Sequence, residues 1–240
     1  MSTETLILAL TALSIGTLHT LIGPDHYLPF IVMARARRWT LSFTLFVTAV
    51  CGVGHVLGSL ALGGVAIALG WSLTGVSSLE ALRGDLAAWL LIGFGVAYAI
   101  WGLRMALRKR PHRHWHSHLD GTVHDHTHNH HGEHAHTHEV SAANPVARSL
   151  TPWVLFTIFV LGPCEALIPL LMFPAAQGGL GATMFVAGIF AVATITTMAA
   201  CVGLGYLGLS QLPIGSFERY AHALAGVSLA VCGLAIQLGL

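Results

Sequence analysis

Apolar residues run along this chain in long blocks, and the polar interruptions between them are few. A helix that crosses a bilayer needs about 20 predominantly apolar residues. That rule predicts six spans, at 5–34, 40–70, 86–107, 152–176, 181–209 and 219–239. The first and fourth each contain a Gly-Pro pair, Gly23-Pro24 and Gly162-Pro163. Proline has no N–H and its ring collides with the carbonyl four residues back, so both spans are expected to be broken helices. The opening MSTETLILAL has no basic residue before its apolar run and carries Glu4, so it reads as the first span rather than a cleavable signal peptide.

One stretch departs from this pattern. All histidines except His19, His26, His55 and His222 fall within 112–138. They are His112, His114, His116, His118, His124, His126, His128, His130, His131, His134, His136 and His138, mostly at alternate positions among polar residues. With no apolar period to fold upon, 108–149 is expected to be a disordered loop. So dense a run of imidazoles binds borderline cations at neutral pH, which points to metal buffering or delivery. The domain plan is therefore a three-helix unit at 1–107, the histidine loop at 108–149 and a second three-helix unit at 150–240.

Composition sharpens the class. Hydrophobic residues make up 55% of the chain and charged residues 9%, against about 25% charged in soluble domains. That excludes a soluble enzyme, and a net charge of +1 offers no field for nucleic acid. Lys109 is the sole lysine and follows an arginine, so there is no Walker A loop and no ATP-driven pumping by this chain. Neither HExxH nor GxSxG occurs, and the chain is expected not to be an enzyme. Cys51, Cys164, Cys201 and Cys232 lie in apolar segments without CxxC spacing, which argues against a disulfide framework or a zinc ribbon.

Basic residues set the expected orientation in a plasma (inner) membrane of bacterial type. Arg35, Arg37, Arg38, Arg104, Arg108, Lys109, Arg110, Arg113, Arg148 and Arg219 all fall on one side if the spans alternate, and only Arg83 falls on the other. The basic side is the cytoplasmic one, so both termini should face outward and the histidine loop inward. The two halves also resemble each other. GVAYAIWGL (95–103) aligns with GVSLAVCGL (226–234), and each half has one Gly-Pro break followed by an acid. Three spans per half put the repeats in opposite orientations, the plan of secondary transporters whose site lies at the repeat interface.

The acidic residues narrow the site further. Eight belong to tails, loops or flanks on this reading, leaving Asp25 and Glu165 at membrane depth. An ionisable group there costs about 2.5–3.5 kcal/mol on insertion scales and marks function by default. Asp25 and His26 are expected in the first turn after Pro24, with Cys164 and Glu165 in the first turn after Pro163. His19 precedes His26 by about two helical turns. His55 lies within Gly54-His-Val-Leu-Gly58, a small-xxx-small face that permits close helix approach. Imidazoles with carboxylates, and with a thiolate from Cys164, suit nickel, cobalt, zinc or iron better than magnesium or calcium. The metal set is thus His19, Asp25, His26, His55, Cys164 and Glu165. The plain alternatives are a structural His26–Asp25 pair, a His55 that bridges helices, and a Cys164 that only packs. His222 reads as interfacial, and Thr194, Thr196 and Thr197 as lining.

His19-Thr-Leu-Ile-Gly23-Pro-Asp25-His26 is similar to the H-x-x-x-G-x-D-H signature of hydrogenase- and urease-accessory nickel permeases, within the wider nickel/cobalt transporter superfamily. Gly54-His55 resembles the Gly-His of that superfamily's second span. Gly162-Pro-Cys-Glu165 is more like the proline-cysteine motif of its histidine-rich efflux relatives and of the cytochrome c biogenesis thiol–disulfide transporters. The resemblance implies nickel or cobalt as the carried ion, no prosthetic group, and His19, Asp25, His26 and His55 as metal residues. The expected partners are metal ions, the bilayer and, for the loop, a cytoplasmic metallochaperone. The expected activity is secondary transport, leaning to uptake. The alternatives are efflux through the same site and an intramembrane thiol–disulfide carrier, which would need a second thiol for Cys164.

Overall fold

The computed structural model describes residues 3–69, 73–107, 112–117, 123–128, 150–164, 166–176, 179–211 and 215–239. The first helix, α1 (Thr3–Ile22), stops where the sequence says it must. Pro24 cannot donate to the Thr20 carbonyl, and Gly23 turns to extended angles (φ −85°, ψ 95°). Pro24–His26 then form a single 3₁₀ turn, and α2 (Leu28–Arg37) begins with Pro29 in its first turn. Asp25 and His26 therefore lie between two helices, not in the first turn of the second one as expected. Pro29 supplies the reason, because its ring excludes the Asp25 carbonyl from a continuous helix. The second break is built alike: α5 (Leu150–Leu161) ends before Pro163, and α6 (Leu167–Ala176) carries Pro169 near its start.

The other helices are long: α3 (Leu41–Ala68), α4 (Leu73–Leu107), α7 (Leu180–Ser210) and α8 (Ala221–Gln237). Residues 73–85 do not connect two spans, as the expected boundaries had it. These residues are the first turns of α4, a 35-residue helix. No proline occurs between 29 and 111 to stop it. At 1.5 Å per residue α4 is about 52 Å long, which exceeds a hydrocarbon core of about 30 Å. Glu80 and Arg83 are thereby carried into the bundle.

Five helical segments among the described residues are long and apolar enough to cross a membrane: Thr3–Ile22, Leu41–Val65, Gly75–Leu107, Leu180–Ser210 and Glu218–Gln237. The side-chain distribution fits that solvent. Leu6, Ile7, Leu10, Phe46, Trp89, Val192 and Leu204 face outward, while Thr20, His26, Thr44, Thr48, His55, Ser59, Glu80 and Thr194 are buried. A water-soluble fold buries the opposite set. The chain is an all-α integral membrane protein in its helical body.

Some helix pairs are reciprocal, although α2 packs extensively on α8 and the counterpart α4–α6 contact is slight. α1 packs on α7 as α5 packs on α3, α2 touches α7 as α6 touches α3, and α3 meets α7 directly. α4 and α8 form the most extensive pair and run antiparallel. A Cβ on Gly95 would fall against the backbone of Ala230, and one on Gly226 against the backbone of Ala99. Gly102 meets Ala223 as Gly233 meets Ile92. The two aligned nonapeptides thus pack on each other through corresponding residues.

The basic ends of several helices also meet. Arg37 donates to the Thr151 hydroxyl (3.0 Å) and lies over the Tyr98 and Trp101 rings, while Arg38 pairs with Glu218. In the histidine segment the described residues form an antiparallel ribbon, β1 (His112–Ser117) with β2 (Val123–His128), where disorder was expected. Alternation of histidine with polar residues has period 2, the one repeat a strand can use. The register sets His112 opposite His128, His114 opposite His126 and His116 opposite His124. His118, His130, His131, His134, His136 and His138 lie outside the described residues.

Candidate metal centre

Three of the histidines singled out from the sequence converge at the first helix break. His19 lies in the last turn of α1, His26 closes the 3₁₀ turn, and His55 comes from the middle of α3. Their rings meet edge to face, with centroids 4.7 Å apart for His19–His26 and 5.3 Å for His26–His55. One ligand atom from each lies within 4.8 Å of the others. Among the described residues this is the one group of histidine, cysteine or carboxylate side chains disposed to hold an ion.

Hydrogen bonding fixes which nitrogen faces inward. His55 Nδ1 is 3.2 Å from the Phe159 carbonyl, which can only accept, so Nδ1 carries the proton and Nε2 keeps its lone pair. His26 Nδ1 is 3.2 Å from both the Gly23 carbonyl and Asp25 Oδ1, with the same consequence. The Nε2 atoms of His19, His26 and His55 are all buried and have no hydrogen-bond partner. A buried polar atom without a partner costs about 1–3 kcal/mol. Three such atoms around one point form a donor set that a cation would complete. Imidazole nitrogen binds zinc at about 2.0–2.1 Å in tetrahedral geometry, so two ligands of such an ion stand about 3.4 Å apart. The three nitrogens, within 4.8 Å of one another, would draw together to close on one ion.

Asp25 is placed differently from a direct ligand, since its Oδ1 meets the Nδ1 side of His26. That is the carboxylate–histidine arrangement which sets ring orientation and raises ligand basicity at metal sites. Gly23 leaves the room: a Cβ there would stand 2.7 Å from His26 Nδ1 and 2.8 Å from Asp25 Oδ1. Gly54 and Gly58 serve the close approach of α3 to α5, where added Cβ atoms would lie 2.8 Å from Phe156 and from the Val160 carbonyl. His55 is thereby held between the first break and the end of α5.

Cys164 is not brought into the centre. It is buried in a second apolar cluster with Ala12, Val56, Leu167, Leu170 and Phe190. All four cysteines are free thiols. Glu165 lies outside the described residues. His222 pairs with the Tyr98 hydroxyl at 2.7 Å, remote from the three-histidine group. Thr194, on α7, is fully buried with an unpartnered hydroxyl.

Two residues escaped the sequence reading. Glu80 is fully buried, ion-paired with Arg83, and accepts the Cys164 N–H at 3.1 Å. The i,i+3 acid–base pair within a proline-free apolar run was the signal that could have found them. The chain matches no family model, no curated protein and no solved structure.

Proposed function

We propose that this protein is a secondary transporter of a divalent transition-metal ion, nickel or cobalt first, with His19, His26 and His55 as the transport site. The observation that carries the reading is the set of three buried, unpartnered Nε2 atoms at a helix break inside an apolar bundle. A resident structural site needs no break in a spanning helix. A broken helix at membrane depth is tolerated only where it is buried in protein or lines a cavity, and a cavity is what an ion that enters and leaves requires. Asp25 orients His26, and the Phe159 carbonyl orients His55.

The six-span, inverted-repeat plan belongs to the same proposal. Its support is the reciprocal packing of α1 on α7 and α5 on α3, and the exchange of corresponding contacts between α4 and α8. On that plan the two broken spans, α1–α2 and α5–α6, are counterparts. Alternating access is then rocking of one repeat against the other. Cys164 lies at the matching break, and with Glu165, its neighbour in sequence, it is the candidate for a coupling half-site.

The basic helix ends favour an orientation with the histidine segment in the cytoplasm and both termini outside. Inward movement of a divalent cation gains about 4.6 kcal/mol per 100 mV, so uptake needs no coupling ion. Export through the same site would have to oppose that gradient. The cellular test is metal content in cells carrying the wild type or His26→Ala, challenged separately with nickel, cobalt, zinc, iron and copper. A rise in one metal that disappears in the variant identifies uptake and its ion, and a fall identifies efflux. Content of every metal independent of His26 would refute transport by this site.

A further inference from the structure

Glu80 and Arg83 have no part in the proposed ion site, yet they sit within the bundle. Glu80 is 0% exposed and Arg83 18%. A buried ion pair is weak evidence for stability, because apolar residues of similar volume often serve as well or better. What the pair touches is more informative. Glu80 Oε2 accepts the Cys164 N–H at 3.1 Å, and Arg83 Nη2 donates to the Val160 carbonyl at 2.7 Å. Arg83 Nη1 reaches the Ser59 hydroxyl on α3 at 3.3 Å.

In an unbroken helix the Cys164 N–H would bond to that same Val160 carbonyl, four residues back. The pair therefore satisfies, from outside, the two halves of the bond that the second break opens. Immediately before Val160 stands Phe159, whose carbonyl accepts the Nδ1 proton of His55. A rotation of Val160 that releases its carbonyl from Arg83 moves the neighbouring peptide too. The His55 contact is 3.2 Å long, so a shift of about half an ångström removes it as a hydrogen bond. The first break carries the Asp25–His26 contact but, among the described residues, no ion pair that reaches it from another helix. Both breaks also have local bonds: His26 N–H on the Gly23 carbonyl and Tyr27 N–H on the Pro24 carbonyl at the first, and Gly162 N–H on the Phe159 carbonyl at the second.

We infer that Glu80 and Arg83 are positioning residues for His55: by holding the two sides of the second helix break, they keep the Phe159 carbonyl on Nδ1 and Nε2 turned to the centre. The structural link stands on the contacts above, and its consequence for metal rests on the proposed transport site. Through it the second break and the ion at the first are mechanically joined, so opening of α5–α6 would loosen one ligand.

The test uses the full chain in detergent micelles and two independent readings. The first is the ¹⁵N tautomer state of the His55 ring without metal, its signals assigned by their loss in His55→Ala. The wild type should show the Nδ1–H form. Glu80→Met combined with Arg83→Met should shift His55 toward the Nε2–H form, and Arg83→Lys should preserve the wild-type pattern. Should the double variant fail to assemble, Glu80→Leu, which removes the acceptor of the Cys164 N–H, carries the same expectation. The second reading is binding of Co²⁺ alone, which should weaken about 10–100-fold in the double variant, as for other residues that orient a ligand. An unchanged His55 tautomer in the double variant or in Glu80→Leu overturns the inference. A shifted tautomer in a protein whose wild type binds no Co²⁺ upholds the positioning role and overturns the metal reading instead.

Discussion

Each of His26 and His55 commits one nitrogen to a protein oxygen and leaves the other bare, and that division of labour carries the chemistry of the site. It also ranks the consequences of single substitutions. Asp25→Asn keeps the shape but loses the charge on the His26 Nδ1 contact, so metal affinity should fall about 10–100-fold with thermal stability little changed. Titration of purified protein with Co²⁺ beside a melting curve checks this, and an unaltered affinity would assign Asp25 to another task. Gly23→Ala is the harsher change, since the new methyl would meet both His26 and Asp25 within 2.8 Å. Its metal binding should be lost while the helices still form by circular dichroism.

At this scale the sequence was legible where chemistry and spacing coincide. His19, His26 and His55 stood out as ionisable groups in apolar runs, and they are the three that converge. Cys164 stood out equally and packs elsewhere, because a cysteine in an apolar cluster is as well suited to burial as to ligation. Glu80 and Arg83 were hidden for a different reason. Their helix was read as beginning six residues after Glu80, and a charged pair outside a span raises no question.

The helices repeat the same lesson. Proline positions predicted both breaks, yet the register of the first differs, since Pro29 as well as Pro24 excludes helix and leaves Asp25 and His26 in a 3₁₀ turn. Short polar interruptions misled at 73–85, where Glu80 and Arg83 are neutralised against each other and against open backbone groups instead of facing water. The crossing of α4 and α8 gives a sharper expectation. Gly95→Leu and Gly226→Leu each drive a side chain into opposing backbone, at corresponding places. Each should destabilise by about 1–3 kcal/mol, and by similar amounts. Thermal or chemical unfolding in detergent measures both. A large loss for one glycine and none for the other would break the reciprocity on which the repeat plan leans.

For the molecule as a whole, the all-α membrane class followed from composition and from the length of the apolar blocks, because a bilayer leaves few ways to satisfy backbone polar groups. Ion identity, direction and the meaning of the histidine segment did not follow, since imidazole accepts several metals and a period-2 polar pattern specifies little. Deleting 112–138 should change apparent affinity or regulation more than maximal flux, as measured by initial rates over a range of metal concentrations. Loss of all flux would place the segment in the pathway itself.

The central claim is that an ion crosses by way of the three histidines, and flux into proteoliposomes enclosing a metal-responsive dye tests it most directly. Nickel or cobalt should enter vesicles carrying the wild type, driven by an inside-negative potential, and should fail to enter with His26→Ala or His55→Ala reconstituted at equal density. Wild-type vesicles that behave like protein-free ones, or variants that conduct as the wild type does, would contradict it.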